Sequence, residues 1–280
     1  MVNIWHWHTE PLLIGSILFS CWLYYSLIGP WRHWVAEEEV AYPVRKAVLF
    51  AVATLVLYLT TGSPLDFIGE AFLFWVHMIQ HLLLMYICPV LYMLSIPSWL
   101  IDGLLRRYPV FDRFVKHAVH PIVAGTLFTL LFSIWHVPAL YEAALTNKLI
   151  HILEHFTIFL PSLLMWWSLI SPSNRRPSLH PAMQMLYLFL LMVAQTPVFA
   201  YLVFSEDVLY PTYEYAPQIM EMTALQDQVL GGVVMKIGNV LLFLVIFGWA
   251  FYRWGSLEED DSKPRIIPKT QNSLHVFASE

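Results

Sequence analysis

Glu70-Ala-Phe-Leu-Phe-Trp-Val-His77-Met-Ile-Gln-His81-Leu-Leu-Leu-Met85-Tyr-Ile-Cys88-Pro-Val-Leu-Tyr92-Met-Leu-Ser95 contains, after its first residue, no aspartate, glutamate, lysine or arginine. A helix that crosses a bilayer needs about 20 mostly apolar residues, and this stretch supplies them. It therefore reads as a transmembrane helix that carries two imidazoles into the membrane. Comparable runs lie at 11–28, 46–62, 121–138, 148–170, 183–204 and 230–252. Between them fall the punctuating pairs Gly29-Pro30, Ile96-Pro97, His120-Pro121, Ser171-Pro172 and His180-Pro181. The expectation is an all-α, polytopic membrane protein, a bundle of about seven transmembrane helices.

Composition points the same way. Of 280 residues, 58% are hydrophobic and 12% charged, against roughly a quarter charged in soluble domains. Twelve Trp, fourteen Tyr and eighteen Phe suit broad lipid-facing surfaces with aromatic side chains at both interfaces. Cys21 and Cys88 each sit in an apolar run without a CxxC partner and read as packing residues. The first ten residues have neither a basic n-region nor a small-residue cleavage site, so the first span is expected to be retained. One transmembrane domain over 1–253 is expected, followed by a disordered cytoplasmic tail over 254–280, which is polar and contains Pro264 and Pro268.

Lysine and arginine are held on the cytoplasmic side of membranes, which orients the chain. Arg32, Arg45, Lys46, Arg106, Arg107, Arg113, Lys116, Arg175, Arg176 and Arg253 all fall at one end of the expected bundle. The opposite loops hold Lys148 together with Glu10, Asp66, Glu70, Glu142, Glu206, Asp207, Glu214 and Asp227. The N-terminus is thus expected outside, the C-terminus in the cytoplasm, and the outer face acidic. Residues 98–108 read as a short helix in the inner interface.

Ionisable groups inside a span are costly and point to function. Five of the twelve histidines belong to spans: His77 and His81 on the third, His136 at the end of the fourth, His151 and His155 on the fifth. Residues four apart share a helix face, so each HxxxH pair can present two imidazoles to one ion. With spans running in alternating directions, all five fall in the outer half of the bilayer. Imidazole suits copper, zinc, nickel and iron, and Met78, Met85 and Met235 add soft donors at similar depth. A metal or haem site is the reading, with interhelical hydrogen bonding as the bland alternative. Glu154 reads either as a group that orients an imidazole or as a partner in another polar pair. His6 and His8 flank Trp7 at the outer surface, where an aromatic-belt role and metal capture are equally open. Gly231 and Gly232 allow close helix approach. For Lys236, the basic group inside a span, pairing with Glu154, pairing with Asp227 and snorkelling all stay open.

His77-Met-x-x-His81, Trp135-His136-x-Pro-x-x-Tyr141, His151-x-x-x-His155 and Asp227-Gln-x-x-Gly-Gly-x-x-Met235, in that order, resemble the multi-span CtaG family of cytochrome c oxidase assembly factors. The similarity runs from about residue 10 to residue 253. It implies a bacterial plasma-membrane protein with a non-enzymatic role, binding copper and supplying it to the buried copper centre of haem–copper oxidase subunit I. Carried over by motif, the candidate metal ligands are His77, His81, His136, His151 and His155, with Asp227 and Gln228 as polar neighbours. The chain departs from the family pattern at Lys236, where a bulky aromatic is expected, and a cation there speaks against a ligand from the last helix. The rivals are a bis-histidine haem protein for electron transfer and a transporter or scaffold with structural histidines. No nucleophile–base–oxyanion set, phosphate loop or nucleic-acid-binding patch is present, so an enzyme is the least expected class.

Overall fold

A computed structural model describes residues 4–36 and 40–262, the side chains of 260–262 excepted. Among the described residues the fold is entirely helical. Its elements are α1 Pro11–Ile28, α2 Arg32–Val35, α3 Val44–Gly62, α4 Pro64–Ala71, α5 Phe74–Leu82, a π-turn at Leu83–Ile87, α6 Cys88–Ser95, α7 Ser98–Arg107, α8 Pro109–Ala118, α9 Pro121–Trp135, α10 Pro138–Thr146, α11 Lys148–Trp167, α12 Pro181–Phe204, α13 Pro211–Glu214 and α14 Ala224–Ser262. Six helical stretches are long and apolar enough to cross a membrane. They become seven when α8 and α9, which meet at 65°, count as one broken span. The expected fourth span ends early because Pro138 disfavours helix at the residue before it, so α9 closes at Trp135 and His136 caps it. The last helix continues to Ser262, past the start of the tail expected at 254; residues 263–280 lie outside the described residues.

The stretch Phe74–Ser95 is one span with a widened turn in the middle. Pro89 explains it: lacking an N–H, it cannot bond to the Met85 carbonyl, and its ring crowds that oxygen. The turn opens so that Cys88 N–H reaches back to Leu83 O, and the freed Met85 carbonyl accepts from Trp166 Nε1 at 2.8 Å. This bond joins the middle of the histidine-bearing span to α11 directly below the candidate site.

Around that axis α14 packs along α5 and α12, α3 along α6, and α11 along α9. The closeness of α14 to α5 requires Gly231, where a Cβ would stand 2.3 Å from the Phe74 ring. Gly69 does the same for α4, whose Cβ would meet the His77 backbone at 3.0 Å. The core runs through Phe74, Met78, Met85, Tyr86, Phe128, Phe132, Trp166 and Met235. Leucine, isoleucine and phenylalanine on the outer faces are exposed, among them Leu130, Leu153, Phe156, Phe189, Leu190 and Leu244, as a lipid-facing belt requires. Helix α1 is held loosely, burying only Tyr24 and Ile28 among its residues, with Tyr24 stacked on Phe50 at 3.8 Å.

At the end of the bundle that carries the basic residues, α7 is an amphipathic helix over the span expected for it. Asp102 of α7 accepts from Ser173 Oγ, Asn174 N and Arg175 N, and Asp112 of α8 pairs with Arg175 and Arg176. These contacts tie the loop before α12 to the α7–α8 pair.

Candidate metal centre

At the opposite end, the five histidines singled out from the sequence come together in one cluster of rings, the histidine chamber. Helix α5 contributes His77 and His81, α11 contributes His151 and His155, and His136 closes α9. Ring centroids are 4.4 Å apart for His77 and His81 and 4.0 Å for His151 and His155, the result of the i, i+4 spacing on each helix. Across the α5–α11 interface, His77 lies 5.6 Å from His151 and 5.9 Å from His155, and His81 lies 5.6 Å from His155. His136 stands at the edge, 6.0 Å from His81.

The tightest donor set is His77, His151, Glu154 and His155, one ligand atom from each lying within 4.8 Å of all the others. His81 adjoins it through Nε2, 2.8 Å from His77 Nε2 and 3.7 Å from Glu154 Oε1. Glu154, read from the sequence as an orienting or pairing group, stands instead in the donor set. Neither Cys21 nor Cys88 belongs to it. Met78, Met85 and Met235 are wholly buried in the hydrophobic core.

Chemically, the chamber is a concentration of unsatisfied donors and acceptors. His77, His81 and His151 are at most 5% exposed, and Glu154 is 0% exposed. Among buried atoms without a hydrogen-bond partner are His77 Nδ1, His81 Nδ1, His136 Nε2, His151 Nε2, His155 Nε2 and both oxygens of Glu154. Buried polar groups are nearly always paired, since each unpaired one costs about 1–3 kcal/mol. So many orphans facing one space fit a cation that joins them. Two rings are already oriented for it. His136 donates Nδ1–H to the Phe132 carbonyl at 2.6 Å, and His151 donates Nδ1–H to Glu70 Oε1 at 2.5 Å. In the neutral ring each then has its partnerless Nε2 available as a ligand atom, the arrangement that prepares histidine for a metal.

The polar neighbours expected from the last motif hold helices in place. Asp227 accepts from the Phe74 and Trp75 amides at 2.8 and 2.9 Å, capping the helix that carries His77. Gln228 accepts from Leu209 N at 2.7 Å. Lys236 pairs with neither Glu154 nor Asp227: it donates to Thr196 Oγ1 at 3.0 Å and lies over the Phe199 ring.

Sequence reading missed two further parts. Tyr141, Tyr210 and Tyr213 roof the chamber: the Tyr141 ring lies 5.3 Å from His77, Tyr141 and Tyr213 hydroxyls meet at 3.1 Å, and Tyr210 donates to the His136 carbonyl at 2.9 Å. Tyr141 was visible in its motif; Tyr210 and Tyr213 come from the N-cap and the single turn of α13, too short for a periodicity to betray them. The second is a smaller group, His8, Asp66 and Glu70, joined to the chamber by Glu70. At its edge, outside the spans, burial opposes ionisation of Glu10, but hydrogen bonds from His8 and Lys148 hold its carboxyl down at about 2.

No curated protein and no solved structure matches the chain. A model of the family described as cytochrome c oxidase caa3 assembly factor matches residues 22–256, and so covers both histidine pairs, His136 and Asp227. The chain belongs to the cytochrome c oxidase caa3 assembly factor family.

Proposed function

We propose that the chain binds copper in the histidine chamber and hands it, within the bilayer, to the copper centre of subunit I of a haem–copper oxidase under assembly. The observation that carries this reading is the convergence of imidazoles from α5 and α11, each with a partnerless ring nitrogen, around a fully buried carboxyl group without a hydrogen bond. Copper is the cargo and no bond of an organic substrate is made or broken. Imidazole with one carboxylate binds copper without the closed thiolate cage that would retain it, as a transfer site requires. The chamber lies at the end away from the basic loops, which by the charge rule is the outer side of a bacterial plasma membrane.

A bis-histidine haem is less well supported. Such a haem uses two axial imidazoles, one on each face of the porphyrin, and would leave the remaining imidazole and the Glu154 carboxyl of the donor set without a role.

Metal analysis with an absorption spectrum on detergent-purified protein tests the reading. About one copper per chain in the wild type is expected, lost in the His77→Ala/His81→Ala variant, with no Soret band. A Soret band would move the assignment to haem, and the absence of both would leave a scaffold with structural histidines. In cells, deletion should leave the oxidase present but short of copper; a full copper complement would overturn the delivery role.

A further inference from the structure

We infer that His8, Asp66 and Glu70 form a second metal site, at the mouth of the histidine chamber, that takes a borderline divalent cation such as Zn(II) or Cu(II). One ligand atom from each lies within 4.8 Å of the other two. His8 belongs to the extended segment ahead of α1, yet it is only 7% exposed. Its amide donates to the Gly62 carbonyl at 2.8 Å, which pins the segment to the end of α3.

The case rests on its imidazole. Nδ1 lies 2.8 Å from Glu10 Oε1, and a carboxylate can only accept, so the ring hydrogen sits on Nδ1. Nε2 is buried without a hydrogen-bond partner and faces Asp66 Oδ2 at 3.2 Å. In the neutral ring these are two acceptors, which repel unless a proton or a metal ion lies between them, and a divalent ion bound there takes the place of the Nε2 proton. Gln80 fixes the Asp66 carboxylate in this position, since its Nε2 donates both to the other oxygen, Asp66 Oδ1, and to the Thr60 carbonyl at 3.0 Å.

The donors decide the ion. One imidazole and two carboxylates, with no sulfur, suit Zn(II) or Cu(II) and disfavour Cu(I). Access is present as well: a groove of about 830 Å³ beside α1 reaches His8, Glu10, Asp66, Glu70, His151 and His155. Glu70 touches both sites, since it bonds His151 Nδ1. That contact gives the two groups one carboxylate in common, while the outer site itself stands independently of the copper reading given above.

The test uses the full chain, tagged at its C-terminus, in detergent and stripped of metal. The EPR spectrum of the wild type with Cu(II) should contain a component coupled to a single nitrogen that is lost in His8→Ala; no such component in the wild type, or its persistence in His8→Ala, would overturn the site. Zn(II) affinity should fall by more than about 100-fold in His8→Ala and in Asp66→Asn, beyond the roughly 10–100-fold that losing a supporting contact costs. Zn(II) affinity unchanged in both variants would overturn it too. Cu(I) binding, measured on the same samples against a chromogenic chelator, should persist in His8→Ala and disappear in His77→Ala/His81→Ala, so failure of the chamber reading registers separately from failure of the outer site.

Discussion

Glu154 and Asp102 are both buried carboxylates in a membrane protein, and they are treated in opposite ways. Asp102 accepts from Ser173 Oγ at 2.5 Å, Asn174 N at 3.1 Å and Arg175 N at 3.2 Å. Its neighbour Asp112 is met by two guanidinium groups. Nothing is left over for a ligand, and the arrangement acts as a lock between α7, α8 and the loop before α12. Glu154, 0% exposed, has no hydrogen bond to either oxygen and is surrounded by imidazoles each of which has one nitrogen without a partner. A buried charge with its acceptors filled contributes to the fold, whereas one left open must be satisfied by something that arrives. The difference separates a structural from a functional use of the same side chain.

Breaking the lock should produce the largest change in stability. Asp102→Ala strands the Ser173 hydroxyl and two backbone amides, so a loss of about 2–4 kcal/mol is expected in detergent denaturation, with copper content per folded chain unaffected. Equal losses of stability and copper would dissolve the distinction between the two ends. The reverse pattern is expected of Glu154→Gln, which keeps the shape and removes the open charge. Its stability should change by less than about 1 kcal/mol while Cu(I) affinity drops by about 10–100-fold. Unchanged affinity would mean that Glu154 is no ligand. The smallest effect is expected of Lys236→Leu. The side chain lies between α12 and α14, away from the histidines, and stability should stay within about 0.5 kcal/mol with copper content intact.

Much of this architecture was legible in the chain. The apolar runs located the spans within a few residues except the last, whose helix begins at Ala224 and continues to Ser262, and α7 lies where alternating apolar and basic positions put an interfacial helix. The two HxxxH pairs identified four residues of the chamber because helical spacing dictates which side chains share a face. The fourth span was overestimated, since hydropathy counts residues without registering that Pro138 ends the helix before them. His8 was left undecided between belt and ligand because a lone histidine in an extended segment carries no periodicity. Asp66 and Glu70 were counted as charges of an acidic face, and the positions of buried Asp66 against His8 and half-buried Glu70 against His151 depend on α4 turning back onto α5.

The sequence by itself determined that the chain lives in a bilayer, how many helices it sends across, and that imidazoles enter the membrane in i, i+4 pairs. Bilayer thickness and helical pitch are local rules, and each span obeys them without reference to the others. Only the tertiary structure decided that the pairs on α5 and α11 face each other, that Asp227 caps α5 while Lys236 points away, and which carboxylates have full or empty acceptors. Those outcomes depend on contacts between residues far apart in the chain, where satisfaction of a buried polar atom is a property of its neighbours and not of its own type.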